Sequence, residues 1–268
     1  AACTTAEVGC NTFLLEKSNE LGGLASLISK IPAKNRLADF PHYLMHRAEQ
    51  LDNLYIFKNT EGTPENIRKF HPNIIVSSTG SAPLLPPIAG LKDRIDNENH
   101  NIYSILGMIS HINDFPKDLE GKKVVVVGGG AVGLDVVEFF ADRNADISIV
   151  EMMDQIGRDL DPVSKNDTKT MMKKHNVHQL TKTALLEVKD SSFLVRGDGE
   201  PYELPFEYGF VCLGMRAQGQ LYQSLAEEFS SEDVEIMNIG DSQRARRIID
   251  GTQEGRNVLT VLEQKGYL

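Results

Sequence analysis

KKVVVVGGGAVGLDVV, residues 122–137, decides the fold. Val124 to Val127 are four β-branched residues in a row, the composition of a central parallel strand buried on both faces. Gly128-Gly129-Gly130-Ala131-Val132-Gly133 follows and matches G-x-G-x-x-G. Gly128 permits the tight turn, Gly130 lets the backbone approach a pyrophosphate, and Gly133 lets the helix pack close to the strand. A helix is predicted from about Ala131 to Arg143, with Val132, Val136, Val137, Phe140 and Ala141 inward. Asn144 tolerates the left-handed conformation that ends it. Ile147 to Val150 is the next strand, ending in Glu151, 18 residues past the last glycine. An acid at that place takes the ribose hydroxyls of a dinucleotide. The alternative is a domain of this shape without a ligand. A carboxylate there repels a 2′-phosphate, and no Arg follows before Arg158, so NADH is favoured over NADPH.

The opening residues repeat the end of this unit. With a shift of 135, Ala6 to Glu16 (AEVGCNTFLLE) falls on Ala141 to Glu151 (ADRNADISIVE). Gly9 lands on Asn144, and Glu16 lands on Glu151. Farther on, Ile74 to Gly80 is an apolar strand ending in glycine, and Phe210 to Gly214 is another, with the glycines 134 apart. Two homologous dinucleotide folds are therefore expected. The glycine loop and first strand of the first are expected immediately upstream of Ala1. The chain lacks an initiator Met, so it is expected to be a processed product or, in preference, a fragment of a longer protein.

The 268 residues fit two domains of ordinary size. No apolar run reaches the roughly 18 residues of a membrane span, and the start has no signal-peptide pattern. A net charge of −10 disfavours nucleic acid and anionic membranes as partners. The short basic cluster Arg244, Arg246 and Arg247 reads as a solvated helix face or an internal anion contact. Cys3, Cys10 and Cys212 form no C-x-x-C, which argues for reduced thiols in a cytoplasmic protein.

Between the motifs, Leu21-Gly22-Gly23-Leu24 is either an ordinary turn or a close approach to a cofactor. Asn35 to Leu51 reads as a helix that Pro41 kinks or starts. Ala82-Pro83 and Pro86 to Gly90 form an extended crossover out of the first domain. A helix is predicted from about Ser164 to His175. Val177–Thr183, Ala184–Lys189, Phe193–Arg196 and Tyr202–Leu204 alternate like an antiparallel meander. His175 and His178 lack a third metal ligand, and Asp154, Asp159 and Asp161 read as a solvated loop. Met237 to Asp241 is a strand, a glycine and an acid. That acid either binds a ribityl or ribose hydroxyl or caps a helix.

Glu16-Lys17 with Leu21-Gly22-Gly23, Ser78 to Pro83, Gly128 to Gly133 with Glu151, and Ile239-Gly240-Asp241 together resemble the two-dinucleotide-binding-domain flavoproteins. Ile31 to Lys34, Asn59 to Glu65 and Gly157 to Pro162 resemble, more closely, the FAD/NAD-binding half of the enoate reductase, 2,4-dienoyl-CoA reductase and NADH:flavin oxidoreductase group. The resemblance covers nearly the whole chain. It implies an α/β fold of two Rossmann-like domains, the NAD domain (106–229) inserted in an FAD domain (1–105 and 230–268). It implies that Glu16 and Lys17 contact the FAD adenosine ribose, that Gly23 and Leu24 line the FAD channel, and that Thr79 and Gly80 lie near the FAD pyrophosphate or adenosine. Asp241 would bind the ribityl or pyrophosphate region. Gly128, Gly130, Ala131, Val132, Gly133 and Glu151 would hold NADH, with Gly214 beside its path.

The same resemblance implies an electron-input module. Hydride passes from NADH to FAD and on to an FMN and [4Fe-4S] barrel, in an N-terminal part of the parent chain, that reduces activated C=C bonds. No catalytic side chain and no metal ligand are expected within this chain, and a homo-oligomer stays open. A thioredoxin-reductase-type disulfide reductase would need a C-x-x-C that the sequence lacks. A non-catalytic dinucleotide-binding module is the alternative from another class.

Overall fold

The computed structural model describes residues 1–268, with 14 strands and 10 α-helices in a mixed α/β arrangement. In chain order they are α1 (Ala2–Glu7), β1 (Thr12–Leu15), α2 (Gly23–Ile28), α3 (Asp39–Ala48), β2 (Leu54–Phe57), α4 (Pro64–Arg68), β3 (Ile74–Ser77), β4 (Ser81–Pro83), α5 (Leu91–Arg94), β5 (Ile102–Tyr103), α6 (Ile105–Ser110), β6 (Lys123–Val127), α7 (Ala131–Ala141), β7 (Asp146–Val150), α8 (Pro162–Lys174), β8 (His178–Leu180), β9 (Ala184–Val188), β10 (Ser192–Arg196), β11 (Tyr202–Pro205), β12 (Tyr208–Val211), β13 (Met215–Ala217), α9 (Gln220–Glu228), β14 (Glu235–Asn238) and α10 (Ile248–Gln264). They form two compact units. Unit one comprises residues 1–29, 34–82 and 215–268; unit two comprises 30–33 and 83–214.

The chain passes between the units after Ala82 and after Gly214. The crossover at Ala82-Pro83 is where the chain leaves unit one. β5 is an edge strand of the unit-two sheet, paired with β12, so the segment before residue 106 belongs there. α9 packs on β14 and α4, so residues 215–229 stay with unit one.

Unit two is built on a five-stranded sheet in the order β5-β12-β6-β7-β8, every pairing parallel. β6 lies at its centre, and Val124 to Val127 are each no more than 3% exposed. Val125 and Val127 join a cluster with Phe193, Val195 and Phe206 of the segment β9 to β12. Elsewhere in the unit, Phe140 of α7 meets Phe115, Phe139, Tyr208 and Phe210 with ring centroids 4.8–6.4 Å apart. Burial of β6 on both faces explains why no polar residue interrupts its run of valines. β8 belongs to this parallel sheet, while β9, β10 and β11 alone make the antiparallel meander. Alternation reports a two-residue period and is blind to strand direction, so β8 read as part of the meander.

Unit one contains two separate parallel pairs, β1-β2 and β14-β3, and the pair β4-β13. Placed on the repeat, β1 and β2 correspond to β7 and β8, and β3 and β14 to β12 and β5. Unit one has no strand in the place that β6 takes in unit two. On one side of the β1-β2 pair, Ala6 of α1, Ala48 of α3 and Leu54 form a small buried cluster. In a second cluster Ile75 of β3 packs with Leu225 and Phe229 of α9. The predicted helix 35–51 is a 3₁₀ segment, Pro32–Ala38, followed by α3, whose first turn holds Pro41. Proline is tolerated there because the first-turn N–H groups have no partner within the helix.

The aromatic cluster around Phe140 gives a direct test. Phe140→Ala removes a fully buried ring and is expected to cost about 3–5 kcal/mol. Urea unfolding would show a lower midpoint with an unchanged slope.

Candidate functional site: the glycine turn and two strand-tip acids

The turn after β6 is shaped by contacts that no side chain could share. Gly128 has φ +109°, and a β-carbon there would collide with the Cys212 carbonyl at the end of β12. A β-carbon on Gly133 would overlap the Gly128 carbonyl, so the first turn of α7 rests directly on the strand end. Around Gly130 a β-carbon would meet nothing within 4 Å, and no side chain caps α7. The exposed N-terminus of an 11-residue helix thus opens beside Gly130, Ala131 and Val132. Free N–H groups and the helix dipole suit such an end to a phosphate.

Glu151 ends β7 and leans back across this turn. Its Oε2 accepts the Gly129 N–H at 2.6 Å, and its Oε1 accepts the Met153 N–H at 2.7 Å. Gly214, with φ +103°, follows the Cys212 segment that lies against Gly128. The predicted set Gly128, Gly130, Ala131, Val132, Gly133, Glu151 and Gly214 therefore clusters around one turn. The donor set fits an NADH pyrophosphate and ribose: open backbone at the phosphate position, and a carboxylate at the ribose position.

Unit one reproduces the strand-tip half of this arrangement bond for bond. Glu16 N–H donates to Phe57 C=O, and Glu151 N–H donates to Leu180 C=O, both at 2.9 Å. Glu16 C=O accepts from Thr60, and Glu151 C=O accepts from Thr183, again at 2.9 Å. Asn59 donates to Ser18 C=O as Lys182 donates to Met153 C=O, and these two donors have φ of 52° and 51°. Glu16 Oε1 accepts the Ser18 N–H at 2.8 Å, the same two-residue step as Glu151 to Met153. Gly9 and Asn144, at φ 96° and 60°, are both left-handed. Of the glycines ending the paired strands, Gly80 has φ +75°.

The remaining unit-one residues fall in two groups. Glu16 is half-buried and Lys17 exposed on the β1-β2 side, with Gly23 and Leu24 opening α2 behind the left-handed Gly22. Thr79 and Gly80 follow β3, where the Thr79 hydroxyl donates to the Gln218 carbonyl and Gly80 C=O accepts the Gln218 N–H at 3.0 Å. Asp241 lies in a 3₁₀ turn after β14; its Oδ2 accepts the Ser81 hydroxyl at 2.9 Å and its Oδ1 the Arg246 N–H at 3.0 Å. The structure joins Asp241 to the segment after β3 and leaves Glu16 and Lys17 on the other strand pair. For FAD the fit is partial: an acid at each end, Glu16 and Asp241, and no glycine turn between them.

Several supporting residues escaped the sequence reading. Glu254 of α10 accepts the Gly240 N–H at 2.6 Å and pairs with the Arg246 guanidinium, clamping the Asp241 turn from behind. Ser81 holds Asp241 directly. Gly129 is the donor to Glu151, and the one sequence signal for it was a third glycine at a position the motif leaves free. Asp161 caps α8 through the Val163 and Ser164 N–H groups. Arg246 of the basic cluster makes the internal anion contact. Cys212 is fully buried behind the turn, and burial pushes its thiol up to about 12.

The profile of the family described as "Pyridine nucleotide-disulphide oxidoreductase" matches residues 44–237. An NADH oxidase of Thermoanaerobacter brockii is 26% identical over 96% of this chain and 38% of its own length. A metal reductase of Desulforamulus reducens is 25% identical over 93% of the chain and 40% of its own. The solved structure of a 2-naphthoyl-CoA reductase complex superposes with a TM-score of 0.79 at 22% identity, over 95% of this chain and 37% of that one. The chain thus spans about two fifths of these relatives. No helix is long and apolar enough to cross a membrane.

Two expectations follow from the geometry. Gly128→Ala forces a β-carbon onto the Cys212 carbonyl at a left-handed φ, and NADH affinity is expected to fall at least about tenfold by fluorescence titration. Glu254 is held below the usual carboxylate range by the Arg246 side chain first and the Gly240 N–H second, with desolvation and then Asp250 opposing. The contribution of a depressed carboxylate is present above the ordinary glutamate value of about 4.3 and is lost as pH falls through the lower folded value. The wild-type melting temperature should therefore drop more steeply on acidification than that of Glu254→Gln.

Proposed function

The chain belongs to the pyridine nucleotide-disulphide oxidoreductase family, and on that premise we propose that it is the electron-input module of a larger flavin-dependent reductase. The family binds FAD and NAD(H), and relatives are named NADH oxidase and metal reductase. The chain is an NAD(P)H-dependent flavoprotein oxidoreductase module. Unit two is the NADH domain and unit one the FAD domain. The observation that carries this reading is the repeat of one strand-tip acid geometry in two units, one of which holds a complete glycine turn.

FAD, when bound, accepts a hydride from NADH and passes electrons on singly. This chain's residues supply position. Gly128, Gly130 and Gly133 bring the backbone and the α7 N-terminus to the NADH pyrophosphate, and Glu151 receives the ribose. Glu16 and Lys17 receive the FAD adenosine ribose, and Asp241, fixed by Ser81 and Arg246, receives the ribityl or pyrophosphate region. Gly23, Leu24, Thr79 and Gly80 line the flavin path, and Gly214 lies beside the nicotinamide path. No side chain need take or give a proton during hydride transfer, so none is assigned as catalytic.

An FMN and iron–sulfur barrel in the rest of the parent protein would take these electrons and would supply the reduction of an activated C=C bond. The 2-naphthoyl-CoA reductase of like fold and the short span of the relatives that this chain covers support that assembly. A cytoplasmic site fits three free thiols. The second reading is a non-catalytic dinucleotide-binding module.

One experiment separates the two. The purified chain is mixed with FAD, desalted, and its visible spectrum recorded before and after anaerobic NADH. Retained yellow colour that NADH bleaches, with NADH-dependent reduction of an artificial dye, is the expected result. A colourless protein that still binds NADH would select the second reading.

A further inference from the structure

We propose that Gly129, the middle residue of the glycine turn, sets the choice of NADH over NADPH by holding the Glu151 carboxylate with its backbone. The proposal rests on the reading of unit two as the dinucleotide site.

Both backbone polar groups of Gly129 are spent on the segment that follows β7. Its N–H donates to Glu151 Oε2 at 2.6 Å, and its C=O accepts the Gly157 N–H at 2.7 Å. With Met153 N–H on Oε1, each carboxylate oxygen of Glu151 takes one backbone donor. A carboxylate has about four lone-pair sites, so one remains on each oxygen. Two acceptors side by side match the two vicinal hydroxyls of an adenosine ribose. Hydrogen bonds from backbone N–H to an ionised carboxylate are short and strong. Tied at both oxygens, the carboxylate cannot swing aside for a 2′-phosphate, which meets a fixed negative charge.

The space around Gly129 makes the residue type part of the device. A β-carbon there would lie 3.0 Å from Glu151 Oε2, 3.1 Å from its Cβ and 3.2 Å from its Cγ. The contact runs along the near part of the side chain as well as its tip, so a β-carbon there requires Glu151 to give way. In unit one Glu16 makes the same bond two residues on, to Ser18 N–H, so the first bond belongs to the strand tip in general, and the second is made by Gly129.

The test is the affinity of the whole chain for NADH and for NADPH, read from nicotinamide fluorescence, in wild type, Gly129→Ala and Glu151→Asp. The wild type is expected to bind NADH at least about tenfold more tightly than NADPH. In Gly129→Ala that ratio should fall at least about fivefold, mainly through weaker NADH. Glu151→Asp keeps the charge but is one methylene too short to bridge both donors, and the same fall is expected. If Gly129→Ala does not melt cooperatively, Glu151→Asp decides alone. Variants that keep the wild-type ratio would show that charge alone selects the cofactor, and the proposal fails while the site stands. A wild type that binds NADH without preference over NADPH has the same meaning. A wild type that binds neither dinucleotide overturns both the proposal and the reading beneath it.

Discussion

The Gly128 carbonyl fills the place where a β-carbon of Gly133 would be. That contact fixes the distance between β6 and α7, and much else in unit two depends on it. Because the helix starts so close to the strand, its N-terminus opens at the sheet's carboxyl edge. Because the turn must be that tight, Gly128 adopts a left-handed φ and lies against the Cys212 carbonyl, which ties the turn to β12. β12 and β7 then flank the turn, and the Glu151 carboxylate reaches its backbone. One packing constraint, satisfied only by glycine, thus sets the phosphate position and the acid position together.

Much of this was legible in the sequence, for a physical reason. A strand buried on both faces must be a continuous apolar run, and a turn with no room for side chains must be glycine. Those demands write themselves into Val124 to Gly133. The repeat was legible because it turns on conformation: Gly9 and Asn144 share the left-handed φ that ends a helix, and Glu16 and Glu151 share a strand tip. Where sequence reading faltered, the constraint was not local. β5 is two residues long and has no period to detect. β8 looks like its meander neighbours until its partner is known. The supports of Asp241 come from Ser81, 160 residues away, and from Arg246, while Glu254 holds Gly240 from 14 residues away. None of these positions carries a motif, since any donor or acceptor of suitable reach could serve.

The two units also show what a duplicated fold preserves. The four backbone positions around each strand-tip acid keep the same bonds, down to matching left-handed residues at Asn59 and Lys182. These bonds close the strand tip itself and follow from its geometry whatever is bound. The second carboxylate bond of Glu151 comes from the glycine turn after β6. The bonds the units share therefore report the fold, and the added bond reports a site.

The same distinction bears on the family's name, which includes disulphide chemistry. A thiol relay needs a nucleophilic thiolate at neutral pH beside the flavin, and usually a second sulfur nearby. Cys212 is the one thiol placed next to the glycine turn, and burial raises it to about 12, so it stays protonated. Its carbonyl rather than its sulfur shapes the turn at Gly128. Cys3 lies in α1 and Cys10 between α1 and β1, both half-buried and unpaired with each other.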